Sequence, residues 1–557
     1  MKRTDNMPQF DLRKPVDFVI VGSGAAGGVL AKELSTSGFD VVVLEQGKWR
    51  SEDDFTHDEL SVFFNNELVG GTRAGYPQTF RSSENETASL AADQPAAGYA
   101  RTVGGSSVHF SANYWRLRPA DFKERSLLGE MPGTGFADWP ISYEELEPYY
   151  TKVDWEVGVS GAPGPFDPPR SKPYPVPPMP VKSAGVLLEK GARKIGLHPQ
   201  VAPVAILSKS HNGRAPCVNC GFCMGFGCEA GAKSSSLAAM IPVAMASGRC
   251  ELRSECTVYR LETDEQGRIN EVLYFDAEGK QRSQRAKAVI LAANGSETPR
   301  LLLMSDSARF PQGLANSSGL VGKYLMFNTH ALVNATFEHP LNEYKGIQCT
   351  RIVHDFYDSD PKRGFYGGGA LDGRPLFLST PILASLLYPP ADGPQWGSEF
   401  KQFLAESFTH GMSVACSTTS VPMASNNISL DPVLKDKYGL PAMRVTYRDH
   451  DDDLAMASFL QARGAEVMDA AGAKRIMLPP VRPSEDGVHL LGTCRMGNDP
   501  VSSVIDRDHR SHDVPNLFMC DGSSFVSSGR GQPTMTIQAL AFRAAERIGD
   551  LARRNEI

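Results

Sequence analysis

A chain of 557 residues, 41% hydrophobic and 22% charged, is long enough for several domains and a large core. Its net charge of −7 gives no basic stripe for nucleic acid, so nucleic acid is excluded as a partner. No run of about eighteen apolar residues is found, and MKRTDNMPQFDLRKPVDF lacks the apolar core of a signal peptide, so no membrane span and no export signal are expected.

In chain order the first clear pattern is DFVIV (Asp17 to Val21), apolar and β-branched, which breaks at GSGAAG. It continues as the helix-like GVLAKELSTSG and returns to a strand at VVVLEQG. This βαβ unit places Gly22, Gly24 and Gly27 where a backbone turns tightly against a pyrophosphate at a helix N-terminus. Glu45, closing the second strand, stands where a ribose hydroxyl pair donates hydrogen bonds. RTVGGSSVHF (Arg101 to Phe110) is a second glycine-serine turn, suited to phosphate or flavin contacts and equally to capping a helix. Ser142 and Glu145 of DWPISYEELEPYY form a capping box and predict a helix start. The proline-rich run Gly161 to Pro180 predicts an extended connection.

CVNCGFCMGFGC then packs four of the ten cysteines into twelve residues, Cys217, Cys220, Cys223 and Cys228. Ten cysteines are too few for a disulfide scaffold in so long a chain, so the cluster signals local chemistry. Its spacing, with two, two and then four residues between cysteines, resembles the CxxCxxCxxxC pattern in which thiolates hold an iron–sulfur cluster. Structural zinc is the alternative, and two disulfides are disfavoured by such tight spacing. Cys250 to Gly279 predicts hairpin strands around DEQG, and Lys287 to Ser305 predicts a buried strand, a glycine turn and a helix. Arg374 to Pro390 is unusually apolar, which reads as a buried helix before a partner or membrane surface. Near the end, NLFMCD predicts a last buried strand ending on Asp521, and Pro533 marks a helix start. Ile537, Leu540, Ala541, Ala544 and Ile548 fall on one face of that helix. His489 opens HLLGTCRMG; a lone histidine is more often a satisfied polar residue than a catalyst.

GSGAAGG with Glu45, RTVGGSS, SETPRLLL (Ser296 to Leu303), HLLGTCRMG and CDGSSF followed by TMTIQALAFRAA occur in an order and spacing that resembles the glucose-methanol-choline oxidoreductases. The resemblance implies an α/β fold: a discontinuous Rossmann-like FAD-binding domain (1–50, 95–118, 230–330 and 486–557) interleaved with an α+β substrate domain built on an antiparallel sheet. That second domain and its connections would take 51–94, 119–229, which holds the cysteines, and 331–485. FAD would have Gly22, Gly24 and Gly27 at its pyrophosphate and Glu45 at its ribose. Arg101, Gly104, Gly105, Ser106 and Ser107 would follow the diphosphate and flavin edge. Asp521, Gly522 and the Gln532–Thr536 segment, with Pro533 and Thr534, would lie by the ribityl chain and ring. His489 matches the family's catalytic histidine, the base that takes the hydroxyl proton. Gln532 stands where the family usually has Asn or His, and Phe110 where many oxidases have Asn.

In the cysteine segment the chain resembles a branch of bacterial sugar dehydrogenases that relay electrons from flavin to a cluster. There three cysteines hold 3Fe-4S, and Cys217, Cys223 and Cys228 match them; Cys220 is a further thiol that would complete a 4Fe-4S site. The resemblance implies a dehydrogenase of sugars or glycosides, C3 of a glucoside first, with other alcohol, polyol or gluconate-type substrates as alternatives. A flavin and iron–sulfur redox module is the non-enzyme alternative. It also implies a cytochrome c or quinone acceptor and a small signal-bearing subunit. The chain would then be periplasmic by co-export, and cytoplasmic otherwise.

Overall fold

The computed structural model describes residues 8–64, 68, 75–91, 95–376 and 394–557. Strands are numbered in chain order. Strands β1 (Val16–Val21) and β2 (Val41–Leu44) are joined by the helix Ala25–Thr36, as the sequence predicts. They pair in parallel, with Phe18 opposite Val41 and Val21 opposite Leu44. Parallel strands buried on both faces need continuous apolar runs, and every residue of β2 is buried. β6 (Cys250–Arg253) extends the sheet beside β2, and β9 (Gln281–Leu291) lies on the other side of β1. β17 (Leu517–Met519), from more than two hundred residues further on, closes the parallel set beside β9.

β9 serves two ladders. Its last six residues run parallel to β1, while its first five pair antiparallel with β8 (Ile269–Phe275), itself the partner of β7 (Thr257–Thr263). The hairpin is therefore only Thr257 to Phe275, turning at DEQG as predicted, and Cys250–Arg253 belongs to the parallel sheet instead. That strand is short and buried on alternate residues, a pattern that hairpin and sheet edge share.

A second sheet is wholly antiparallel, in the order β16 (Arg475–Met477), β10 (His330–Thr336), β13 (Gly411–Thr418), β12 (Gly369–Pro375), β11 (Arg351–Val353) and β5 (Pro199–Val201). Side chains alternate across it. Ala331, Val333, Met412, Val414, Cys416 and Leu371 turn to one side, where they pack with Leu188 of the helix Ser183–Lys194 and Met456, Leu460 and Val467 of the helix Asp451–Ala471. By the same alternation His330 on β10 and Asp372 and Arg374 on β12 point to the opposite face. A four-stranded sheet joins β14 (Asn427–Lys435), β15 (Pro441–Thr446), β3 (Gln78–Arg81) and β4 (Ser89–Leu90).

The Ser142 capping box opens the helix Tyr143–Val153, with the Glu145 amide donating to Ser142 Oγ at 3.3 Å and the Ser142 amide donating to Glu145 Oε2 at 2.9 Å. No helix crosses Gly161 to Pro180. The helix Thr534–Arg553 buries Leu540, Ala541, Ala544 and Ile548 and packs against Ala25–Thr36, so residues near the two ends of the sequence share one core. Of the apolar Arg374–Pro390 segment, Arg374 and Pro375 end β12; 377–390 lie outside the described residues. Among the described residues no helix is long and apolar enough to cross a membrane.

Candidate active site

One large cavity, of about 560 Å³, runs between the parallel sheet and the polar face of the antiparallel one. Three helix N-termini reach it: Ala25 and Ala26 of Ala25–Thr36, Asn294 and Gly295 of Asn294–Met304, and Pro533 and Thr534 of Thr534–Arg553. Free amides and aligned helix dipoles suit such a place to an anionic group. The turn after β1 shows why glycine is needed. A Cβ at Gly27 would stand 2.0 Å from the Gly22 carbonyl oxygen, so the helix sits against the turn with no room for a side chain. At Gly24 the nearest atom to a Cβ is Gly105 Cα at 3.9 Å, so that glycine faces the cavity, across from the second glycine turn. The two turns are tied together, the Gly104 amide donating to Ser23 Oγ at 3.0 Å.

Glu45 lines the cavity and anchors the first turn, accepting from the Ser23 amide at 3.0 Å, Ser23 Oγ at 2.7 Å and the Gly47 amide at 2.8 Å. Burial raises its carboxyl above the ordinary value against these donors. Ser106 and Ser107 line the cavity with Gly105, and Ser107 Oγ also accepts from the Ser236 amide at 2.8 Å. Asp521 and Gly522 follow β17 into the cavity wall. Asp521 accepts from the Asn294 amide at 3.0 Å and from Thr298 Oγ1 at 2.6 Å, tying β17 to the helix Asn294–Met304. Arg101 is turned elsewhere: its guanidinium stacks between Tyr76 and Tyr99 at 4.2 and 4.5 Å and lies 3.8 Å from Glu297. It thus bears on the cavity through Tyr99 and Glu297, which do line it.

His489 and Gln532 line the same cavity. His489 Nδ1 is buried without a partner, which leaves Nε2 as the nitrogen open to the cavity. Burial first, then His330 and Arg374, lowers its pKa to about 3, so the ring is a neutral imidazole. Sequence reasoning passed over His330 and Arg374. The antiparallel bridge between Met326 and Leu491 brings the two stretches together and leaves the His330 and His489 rings 5.6 Å apart. The signal was present as period-two alternation in HALVNAT and in the spacing of Asp372 and Arg374, but nothing local tells which face meets the cavity.

The cysteine loop abuts this wall. Met224 and Gly225 line the cavity, and the Gly225 amide donates to the His109 carbonyl at 2.7 Å. Lys233, fully buried, donates from Nζ to the carbonyls of Cys223 at 2.6 Å, Phe226 at 2.7 Å and Phe110 at 3.2 Å, clamping the loop to the second glycine turn. All four thiols are free. The Asn219 amide points at Cys217 Sγ from 3.4 Å, and burial pushes the Cys223 thiol up to about 12. Cys220 Sγ has His57 and Glu229 ligand atoms within 4.8 Å.

The N-terminal model of the GMC oxidoreductases matches residues 16–326 and the C-terminal model residues 422–541. The chain is a GMC oxidoreductase. Among similar proteins, the 2-methyl-1,2-propanediol dehydrogenase of Mycolicibacterium austroafricanum is 34% identical over 542 residues, 96% of this chain and 95% of that protein. The fructose dehydrogenase large subunit of Gluconobacter japonicus is 29% identical, covering 96% of this GMC oxidoreductase and 97% of the relative. The gluconate 2-dehydrogenase flavoprotein of Pantoea cypripedii is 28% identical, covering 97% and 95%. The fold is shared with the solved pyridoxine 4-oxidase of Mesorbium loti at a TM-score of 0.61 and 16% identity, covering 96% of this chain and 99% of that one. A formate oxidase of Aspergillus oryzae overlaps at a TM-score of 0.66 and 15% identity, covering 98% and 100%. The GMC oxidoreductase is thus an FAD-dependent enzyme acting on CH–OH groups. The cavity fits that cofactor in its paired glycine turns, its carboxylate after β2 and its three helix N-termini.

Proposed function

We propose that this GMC oxidoreductase is a dehydrogenase of sugars and polyols, oxidising one hydroxyl, C3 of a glucoside being the sugar case, and passing electrons out through an iron–sulfur cluster. The three relatives named above are called dehydrogenases of a diol, of fructose and of gluconate, which supports a polyhydroxy substrate. Gly22, Gly24 and Gly27 would hold the FAD pyrophosphate and Glu45 the ribose. Gly104, Gly105, Ser106 and Ser107 would follow the diphosphate, with Arg101 placing Tyr99 and Glu297. Asp521, Gly522, Pro533 and Thr534 would bound the flavin. FAD supplies a two-electron acceptor for the hydride that leaves the carbinol carbon.

His489 carries the reading. Its neutral Nε2 takes the hydroxyl proton while the carbon loses its hydride, which leaves a carbonyl. Burial keeps the ring uncharged and ready to accept, yet the same burial makes it a weak base. Proton removal therefore accompanies hydride loss instead of preceding it. Gln532 offers an amide to the substrate oxygen and no base. The Thr534–Arg553 N-terminus, beside Gln532, favours negative charge gathering in the cavity as the hydride departs.

Cys217, Cys223 and Cys228 would hold the cluster as 3Fe-4S, with Cys220 completing 4Fe-4S. The loop's contact with the cavity through Met224 and Gly225 supports a short electron path. Amide donation to Cys217 and the Lys233 ammonium beside Cys223, Cys228 and Cys220 fit thiolate ligands, whose charge both would offset. A cytochrome c or quinone would accept the electrons, and a small subunit would be carried with this chain. The decisive experiment is anaerobic flavin bleaching by methyl glucoside and by 1,2-diols with His489→Ala. Bleaching is expected to slow about 10²- to 10⁴-fold with FAD retained; near-normal bleaching would remove His489 from the chemistry.

A further inference from the structure

We propose that His330 is the residue that selects substrates bearing a second hydroxyl next to the one oxidised, by accepting a hydrogen bond from that neighbour at Nε2. The inference rests on the reading of the cavity as a polyol site and adds the group that recognises the polyol.

The ring's orientation is fixed from behind. His330 Nδ1 stands 2.5 Å from the Asn328 carbonyl oxygen. A carbonyl can only accept, so Nδ1 carries the hydrogen and the neutral ring keeps its lone pair on Nε2. Asn328 is itself locked, its amide donating to Ser420 Oγ at 2.8 Å and its Nδ2 to the Thr418 carbonyl at 2.8 Å. The carbonyl that sets the tautomer therefore cannot swing away. Among the described residues no hydrogen bond reaches Nε2, and the ring is exposed on the cavity.

The groups around it favour a neutral acceptor. His489 faces it at 5.6 Å between ring centroids. Arg374 lines the cavity on the same sheet face, paired with Asp372 through two hydrogen bonds, Nε to Oδ1 and Nη2 to Oδ2, the second of 2.6 Å. Burial first, and then Arg374, lowers the His330 pKa, with the Asn328 carbonyl and Asp372 opposing. Two neutral imidazoles, one on β10 and one on the loop after Gly487, thus look into one space. His489 holds the reacting hydroxyl, and a hydroxyl on the adjacent carbon, about 3 Å away in a gauche diol, falls to the other ring, a hydrogen-bond length from its nitrogen. A simple alcohol leaves Nε2 buried beneath the substrate without a donor, which is where discrimination arises.

The test uses the FAD-loaded enzyme and ligands that cannot react. Pinacol is a 1,2-diol with no carbinol hydrogen, and 2,3-dimethyl-2-butanol is its counterpart with one hydroxyl. Calorimetric titration should show the wild type binding pinacol about tenfold more tightly than 2,3-dimethyl-2-butanol, the value of one well-made hydrogen bond. His330→Ala should bring the ratio to about one by weakening pinacol alone, and His330→Gln, which puts an amide oxygen near the depth of Nε2, should restore part of it. In turnover the same variants should raise KM for a 1,2-diol while leaving a simple alcohol unchanged. Equal binding of the two probes by the wild type, or a ratio that survives in both variants, overturns the proposal. Retained flavin absorbance and the unchanged 2,3-dimethyl-2-butanol affinity separate it from misfolding. The outcome is also separable from the base assignment, because His489→Ala can leave the pinacol ratio intact while its bleaching rate decides that question.

Discussion

Gly24 and Gly27 are three residues apart and carry different burdens. The Cβ of an alanine at 27 would meet a backbone carbonyl at 2.0 Å, and neither backbone can retreat without parting the helix from β1. At 24 the alanine methyl has space, but the space belongs to the cavity. Gly27→Ala is expected to lower the melting temperature even without FAD, by an overpacking cost of about 1–3 kcal/mol or more. Gly24→Ala should leave the apoprotein's melting temperature unchanged and weaken FAD binding tenfold or more by titration. Equal behaviour of the two would contradict the geometry. The buried histidines give the fold an acid limit. His509 donates Nδ1–H to the Met519 carbonyl at 2.9 Å, and burial lowers its pKa to about 4; His109 is likewise lowered to about 4 and His489 to about 3. Each folded pKa lies below the unfolded value, so the unfolded chain takes up protons first as pH falls. Stability is full above about pH 6.5 and is lost between there and about pH 3–4, at roughly 1.4 kcal/mol per pH unit for each such ring. Thermal melts from pH 8 to 4 should show this loss, and His509→Gln should flatten it; a melt independent of pH would refute the burial of these rings as neutral groups.

At the scale of elements, the cysteine loop and the glycine turn are joined by one cation. Lys233 satisfies three carbonyls from two segments, so Lys233→Met leaves all three without a donor in a buried place. Iron content and electron paramagnetic resonance of anaerobically purified protein should show a cluster in the wild type and its loss in Cys223→Ser and Lys233→Met. Cys220→Ser should keep a 3Fe-4S signal; absence of iron from the wild type would return the loop to zinc or to bare thiols. The elements themselves were largely legible in sequence, since the βαβ unit, the Ser142 cap, the proline-rich link and the Pro533 helix start are all written in contiguous residues. What escaped was relational. Residues 326 and 491 meet through a bridge that no local pattern announces, and with them His330 meets His489. Cys250–Arg253 was misassigned because four residues of alternation do not say which strand lies alongside.

At the scale of the molecule, one cavity spans both sheets, so substrate chemistry and cofactor grip are properties of their joint packing. If the cysteine loop holds the proposed cluster, the Met224–Gly225 wall would give electrons an exit other than oxygen. In steady state, a one-electron dye should support turnover at least tenfold faster than air-saturated buffer, and Cys223→Ser should shift the balance toward peroxide. Comparable rates with dye and oxygen in the wild type would argue against the relay.

The placement of β17 has a consequence for how the enzyme is made. β17 is synthesised more than two hundred residues after its partner β9, and the helix Thr534–Arg553 long after Ala25–Thr36, on which it lies. The nascent chain therefore carries an apolar β9 edge until Leu517–Met519 has been made and an uncovered first helix until Thr534–Arg553 has, a state exposed to aggregation and to chaperones. Cofactor loading is accordingly a late step, because Asp521, Gly522 and Thr534 of the cavity wall are made only with that stretch: the FAD supply at that moment, more than the rate of synthesis, should govern how much enzyme a cell obtains.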